Sequence, residues 1–126
     1  TIVDLVSARP IDLAVVEGIH TMTGGEGPWI REKLTGVRPG VIVAGTNCVN
    51  IDAVCMSAMG FDPMADRGTP PFEACDSTLR LAEDVGLGTR DLSRIEVAGA
   101  RIEDVRFDFA ALRRERRAAA QKERIG

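Results

Sequence analysis

The sequence predicts an α/β fold with a mixed, mainly parallel sheet and helices packed on it. Residues 41–44 (VIVA) form a short apolar run of mostly β-branched residues, as in a strand that is covered on both faces. A largely apolar helix is predicted over residues 48–59, and a further helix precedes an alternating run at residues 94–98. Strand, helices and strand in this order fit a crossover connection, which places the two strands parallel.

Upstream of this unit the sequence predicts a helix, a strand and a loop. An apolar face at residues 2–6 indicates a helix that Pro10 ends. Residues 12–17 (DLAVVE) are typical of a second buried strand, and residues 18–29 form a glycine-rich loop. Because residues 1–8 read as the apolar end of a helix, we expect the chain to be the C-terminal part of a larger protein.

The helix after residues 41–44 has clear start and stop signals. Asn47 is a good N-cap, and Gly60 stands where a glycine in the left-handed conformation ends a helix. Pro63 prevents the helix from resuming. Between these signals the only polar residues are Asn50, Asp52 and Ser57, so the helix is expected to be buried on most sides.

The C-terminal half continues with a helix, two alternating runs and a tail. Thr69 and two prolines start a predicted helix that runs through Val85. Alternating apolar residues follow at 94–98, as in a half-exposed strand, and again at 101–109. We expect residues 1–110 to form a single α/β domain and residues 111–126 to form a basic helical or frayed tail.

Composition narrows the class of protein. A hydrophobic fraction of 44% and a charged fraction of 28% are typical of a soluble globular domain, and no apolar run approaches the ~20 residues of a membrane span. The three cysteines have no CxxC spacing, so neither a disulfide framework nor a zinc or iron–sulfur site is predicted within this chain. We therefore expect a cytoplasmic protein that does not contact membranes.

The tail is basic while the rest of the chain is acidic. Residues 113–124 hold six basic and two acidic residues, in a chain whose net charge is −3. An acidic body and the absence of aromatic residues among the basic ones argue against nucleic-acid binding. A solvated helix is the simpler interpretation of this segment.

Several segments in order resemble a known family. They are DLAVVEGI from Asp12, the loop with Gly25, Gly27 and Pro28, then VIVAGTNCVNIDAV, MGFDP, GLG and RIEVAG. As an ordered set over about residues 12–99, they resemble the domain of unknown function 362 family. Many members of that family carry a ferredoxin-like iron–sulfur module in the same polypeptide. The resemblance thus implies a redox association and an iron–sulfur cluster in the parent protein, although the cluster-binding cysteine run is absent from these residues.

This chain departs from the family pattern at the start of the central helix. Asn47 and Cys48 stand where Asp-Pro is usual, and Asn50 replaces what is usually a small apolar residue. If the usual aspartate at position 47 is a ligand or a catalytic acid, its replacement by an amide removes that role here.

The sharpest candidate site residue is Asp52. A carboxylate in a mostly apolar helix needs a hydrogen-bonding or cationic partner, or it takes up a proton. One hypothesis pairs Asp52 with Glu17 at the strand ends, where the two acids hold a divalent cation or shuttle a proton. The alternative is a structural aspartate bound to backbone N–H groups of the glycine loop. Either interpretation places Asp52 in a strand-end crevice, where open α/β sheets bind ligands.

The glycine-rich loop supplies the other candidates. Consecutive N–H groups at Gly24, Gly25 and Gly27 are suited to cradling an anion, although the phosphate-binding and dinucleotide motifs are both absent. His20 is a candidate base or metal ligand, and the alternative is a surface histidine. Asn47 is expected to line the same crevice.

Two functional hypotheses follow. The first is a redox-associated enzyme with a strand-end crevice that binds an anion, a metal or a small molecule through Glu17, His20, Asn47, Asp52 and the glycine loop. The second is a non-catalytic accessory module that binds a partner, either the missing N-terminal half or another protein chain. The sequence leaves the substrate, the metal and the reaction open.

Overall fold

The computed structural model describes residues 2–24 and 34–125. Within these residues there are four α-helices: α1 (Ile2–Ala8), α2 (Cys48–Ala58), α3 (Thr78–Asp84) and α4 (Phe109–Ile125). There are four strands: β1 (Ala14–Gly18), β2 (Thr21–Thr23), β3 (Thr35–Val37) and β4 (Val41–Gly45). Two 3-10 turns, Leu92–Arg94 and Ile102–Asp104, interrupt the segment between α3 and α4.

The sheet is not mainly parallel, so this part of the predicted fold class is wrong. β1 pairs antiparallel with β4, from Ala14 opposite Gly45 to Gly18 opposite Val41. β2 pairs antiparallel with β3 in a separate sheet of two strands. The predicted parallel pair needed a crossover from residues 41–44 to a strand at residues 94–98, and residues 94–98 form no strand. The mixed α/β composition is as predicted.

The strand expected at residues 94–98 does not form: a 3-10 turn ends at Arg94, and residues 95–98 belong to no strand. Asp91 caps the turn: its Oδ1 accepts a hydrogen bond of 2.9 Å from the N–H of Ser93. The turn holds the chain through Arg94, and the N–H of Ile95 donates to the Leu92 carbonyl. The alternating run at 101–109 likewise gives way to the turn Ile102–Asp104 and the start of α4.

The helix expected from Thr69 to Val85 forms only over its second half. Its observed start is Ser77, whose Oγ accepts a hydrogen bond of 3.2 Å from the N–H of Arg80. Before Ser77 the chain turns tightly, with the N–H of Phe72 donating to the Thr69 carbonyl. Pro70 and Pro71 have no N–H to donate to a helix ladder, so they fit this turn.

The start and stop signals of α2 are confirmed. Asn47 has an extended backbone, and its Oδ1 accepts a hydrogen bond of 3.0 Å from the N–H of Asn50. Gly60 has φ +84°, where a side chain would be strained, and a Cβ there would lie 2.5 Å from the Asp108 Oδ1. Glycine is thus required at this turn for two independent reasons.

The hydrophobic core lies between helices. Val49 and Ala53 of α2 pack with Leu79 and Ala82 of α3, and partly buried residues such as Val3 of α1 surround them. No residue of β1 or β4 is buried by the described part of the chain. The helices therefore hold this core, and the sheet contributes little to it.

A pair of amides fixes the start of α2 to the loop after α3. The Nδ2 of Asn47 donates a hydrogen bond of 2.8 Å to the carbonyl of Leu87. The Oδ1 of Asn50 accepts one of 2.9 Å from the N–H of Thr89. Between these two bonds Gly88 approaches α2 so closely that a Cβ would lie 2.7 Å from the Cβ of Val49. We call these contacts the amide clamp.

We expect the substitution Gly88→Ala to destabilise the fold by about 1–3 kcal/mol, because the added methyl group overpacks the clamp. Urea denaturation followed by circular dichroism measures this loss. Gly36→Ala is the matched control, because a methyl group added at Gly36 would meet no other atom within 4 Å. Its free energy of unfolding should stay within about 1 kcal/mol of the wild type. Equal losses for the two variants would contradict this assignment.

We also expect Asn47→Asp and Asn50→Asp to differ, although each adds one negative charge at the start of α2. Aspartate at position 47 keeps the cap acceptor but loses the donor to the Leu87 carbonyl, at a cost of about 1–3 kcal/mol. Aspartate at position 50 keeps the acceptor for the Thr89 N–H and also favours the helix dipole, so its cost should be below about 1 kcal/mol. Urea midpoints at neutral pH compare them. A larger loss for the position-50 variant would refute this role of the Asn47 amide.

Candidate binding cavity

A cavity of about 1120 Å³ lies between the β1–β4 sheet, the C-terminal end of α2 and α4. Val16 and Val43, which are partners in the β1–β4 register, line its sheet side. Cys55 and Met59 contribute from α2. The lining is largely apolar, as in many small-molecule sites.

Arginines from α4 line the opposite wall, and both make polar contacts with other residues. The Nη2 of Arg113 lies 2.9 Å from the Glu73 carboxylate. Arg116 donates to the carbonyl of Thr23 at 3.4 Å and to the hydroxyl of Thr35. The contacts of Arg116 hold the β2–β3 hairpin against α4, and the contact of Arg113 joins α4 to the segment before α3.

α4 itself is fixed to the end of α2. The Oδ1 of Asp108 accepts a hydrogen bond of 2.7 Å from the N–H of Ala111, and this bond lowers the pKa of the carboxyl. The N–H of Phe107 donates to the Ala58 carbonyl at 2.9 Å, and the Phe107 and Phe109 rings lie 5.1 Å apart. The basic tail thus begins as part of the packed structure.

Glu17 lines the cavity, but its carboxylate also has a local partner. Its Oε1 accepts hydrogen bonds from the N–H groups of Ile19 at 2.6 Å and His20 at 3.3 Å. The carboxylate therefore stabilises the turn that follows β1. The side chain of His20 is exposed.

Asp52 is exposed on α2, and it lines neither this cavity nor the crevice described below. Neighbouring protein atoms still desolvate its carboxyl, which raises its pKa. Burial, and secondarily the charge of Asp52, raises the pKa of the nearby Cys55 thiol to about 11. Cys55 is therefore a protonated thiol at neutral pH and a poor nucleophile.

The structure does not bring all of the predicted site residues together in the cavity. Glu17 and Gly24 line the cavity, and Gly24 has φ +110°. Asn47 lies away from it in the amide clamp, where its side-chain oxygen and nitrogen are both used. Gly25 and Gly27 fall outside the described residues.

The described residues also bear on metal and membrane binding. Among residues 2–24 and 34–125, no three side chains of His, Cys, Asp or Glu come together as metal ligands. In the same part of the chain, no helix combines the length and the apolar character needed to cross a membrane.

Sequence reasoning missed the contribution of α4 to the cavity. Arg113 and Arg116 belong to a segment interpreted as a solvated tail, and their partners lie 40 and 81 or more residues away in the sequence. The alternation of Val105, Phe107 and Phe109 was the available signal, since all three line the cavity.

Comparison with known proteins identifies a family that is similar to part of this chain. Residues 1–57 match the family model described as domain of unknown function (DUF362). The match covers α1, all four strands and α2 up to its penultimate residue. No curated protein and no solved structure matches the chain significantly. The resemblance inferred from the sequence is thereby confirmed over residues 1–57, which are similar to the domain of unknown function 362 family.

Proposed function

We propose that this chain is a partner-binding module, in which a helix of another polypeptide covers the outer face of the β1–β4 sheet. The observation that carries this proposal is the exposure of large apolar side chains on that sheet. Val15 of β1 and Ile42 of β4 are 61% and 58% exposed, and Leu13 just before β1 is 64% exposed.

These side chains belong to one face. Val15 and Glu17 alternate with Val16 along β1, and their register partners are Ala44 and Ile42 on β4. Leu13 is two residues before Val15, so it continues the same row. We call Leu13, Val15, Glu17, Ile42 and Ala44 the outer sheet face.

The opposite face of the same sheet borders the cavity. Val16, Val41 and Val43 line the cavity, and residues of α2 and α4 line its other sides. A sheet of two strands has little stability of its own, and it needs apolar cover to persist. In α/β folds helices supply such cover, which supports a helix as the missing element. The apolar, β-branched sequence of β4 is typical of a strand that is covered on both faces, which is consistent with a helix on the outer sheet face.

The test uses a synthetic amphipathic helix of leucine and lysine, whose lysines suit the acidic net charge of this chain. We expect it to shift the amide NMR signals of Leu13, Val15 and Ile42. A peptide with the same composition in scrambled order, which has no apolar face, should bind at least about tenfold more weakly. Val15→Lys should weaken binding by a similar factor, because a charge then opposes the apolar face.

Val85→Lys is the matched control, because Val85 is equally exposed, at 59%, but lies at the end of α3. Circular dichroism spectra should be the same for both variants. Equal binding to the two variants, or shifts away from the outer sheet face, would exclude this function.

A second candidate is a redox-associated enzyme that binds an anion or small molecule in the cavity. The cavity favours it by bringing Glu17 and Gly24 together with Arg113 and Arg116. In this proposal Glu17 is the remaining catalytic candidate, because His20 and Asp52 do not line the cavity, and an iron–sulfur cluster belongs to the parent protein. Localisation in the cytoplasm accompanies either function.

Isothermal titration with inorganic phosphate and with Mn²⁺ tests the second candidate. If the cavity binds phosphate, Arg116→Ala should weaken binding at least about tenfold, since the ion loses a charged donor. Arg114→Ala is the control, because the Arg114 side chain is exposed on α4 and does not line the cavity. If neither ion binds, and Asp52→Asn leaves the stability unchanged, the cavity and the acidic residues have no such role.

A further inference from the structure

A second concavity lies on the other side of β4, between its free edge and the segment after α3. It has a volume of about 480 Å³. β4 (Val41–Gly45) forms one wall, residues 95–98 form the other, and Ile51 and Val54 of α2 contribute from the side. We call it the edge crevice. It shares four residues with the cavity described above, but its walls are otherwise distinct.

One wall is a strand, and the other begins with a residue in a strand conformation. β4 pairs with β1 along one edge, and among residues 2–24 and 34–125 no strand pairs with its other edge. Across the crevice Ile95 has φ −110° and ψ 119°, which are strand values, although residues 95–98 pair with no described strand. Among the described residues, β4 and the segment that begins at Ile95 therefore flank a space without a ladder that would join them.

The polar groups that a ligand would meet along this edge belong to the backbone. An unpaired strand edge presents alternating N–H and C=O groups, which another extended chain matches best. At one end of the crevice, both amide atoms of Asn47 and the Oδ1 of Asn50 are already engaged in hydrogen bonds of α2 and the amide clamp. No set of polar side chains converges here, among the residues that the structure describes, as it would for a small polar ligand.

The charge of the lining indicates which kind of chain is complementary to the edge crevice. Glu96 is the only charged residue among the described residues of the lining, and it is exposed. The remaining contacts are mainly with apolar or small side chains, such as Ile42, Val97 and Ala98. An occupant with an apolar face toward these walls and a basic residue near Glu96 is complementary to them.

We propose that the edge crevice receives a β-strand of another polypeptide, which pairs with the free edge of β4 and extends the β1–β4 sheet. This is strand addition, in which backbone hydrogen bonds give the affinity and side-chain contacts give the selectivity. The inference rests on the proposed partner-binding function and names a second element of the partner. A helix is excluded as the occupant of this site, because its backbone groups are paired internally and cannot bond to β4.

The probe is a synthetic peptide of about six residues, the usual length of a strand, with alternating valine and threonine and a lysine at each end. We expect it to shift the amide NMR signals of both walls, β4 and residues 95–98. At saturation the β4 amides that face the peptide should exchange with solvent at least about tenfold more slowly. The same peptide with a central proline should bind at least about tenfold more weakly, because it loses a backbone donor and extended pairing.

Two variants separate this inference from the helix-binding face. Val97→Lys should weaken peptide binding about tenfold or more, because it sets a charge against the apolar strand and repels the lysines. Val15→Lys should leave strand binding unchanged, because Val15 does not line the edge crevice. If the amphipathic helix binds the outer sheet face and the strand peptide does not bind β4, this inference fails while the proposed function stands.

Other outcomes overturn it as well. Equal binding of the proline peptide would show that apolar contact alone, without backbone pairing, fills the crevice. A concentration-dependent dimer whose β4 amides are protected without any peptide would show that a second copy of this chain occupies the edge instead. Unchanged binding by Val97→Lys would place the peptide elsewhere.

Discussion

The structure depends on the amide clamp between the start of α2 and the loop after α3. Asn47 donates to Leu87, and Asn50 accepts from Thr89, so two short side chains join segments about forty residues apart in sequence. A buried donor or acceptor without a partner costs more than a made bond contributes, which makes such pairs hard to replace singly. With the helix held there, Val49 and Ala53 are aligned with Leu79 and Ala82 of α3.

The C-terminal end of α2 fixes the position of α4. Backbone N–H groups of Phe107 and Ala110 donate to the carbonyls of Ala58 and Met59. These two contacts place the first turn of α4, and α4 then closes one side of the cavity. β4 leads into α2 through two residues, so the sheet is also positioned from this helix. The two cavities therefore lie on either side of a strand that α2 orients.

The sequence predicts those features that local chemistry decides. Asn47 as a cap and Gly60 as a stop depend on backbone groups within a few residues, and both are confirmed. β4 is apolar and β-branched enough to be recognised alone. Strand pairing is different, because alternation at residues 94–98 gives no information on whether a neighbouring edge lies within hydrogen-bonding distance. A turn capped by Asp91 instead directs that segment past β4.

In the candidate site, too, the sequence predicts what local chemistry decides and does not predict what depends on tertiary packing. That Glu17 lies near the end of a strand could be deduced from its neighbours, and it does line the cavity. The sequence places Asp52 in a crevice because nearly all of α2 is apolar, yet one side of this helix meets solvent and holds the carboxyl there. Arg113 and Arg116 join the cavity only because α4 folds back over the β2–β3 hairpin, a contact between segments far apart along the chain. Distances of this kind are set by tertiary packing and have no signature in the local pattern.

The amide clamp has a consequence for relatives of this chain. A family member with an acid at the position of Asn47 has no hydrogen to offer the carbonyl that Leu87 presents, so the segment corresponding to residues 87–89 must sit differently or find another donor. Residue 47 and the loop that follows α3 should consequently vary together through evolution. A member that has aspartate at this position and an unchanged glycine-leucine-glycine loop would then be one in which the acid does not hold that loop by a hydrogen bond.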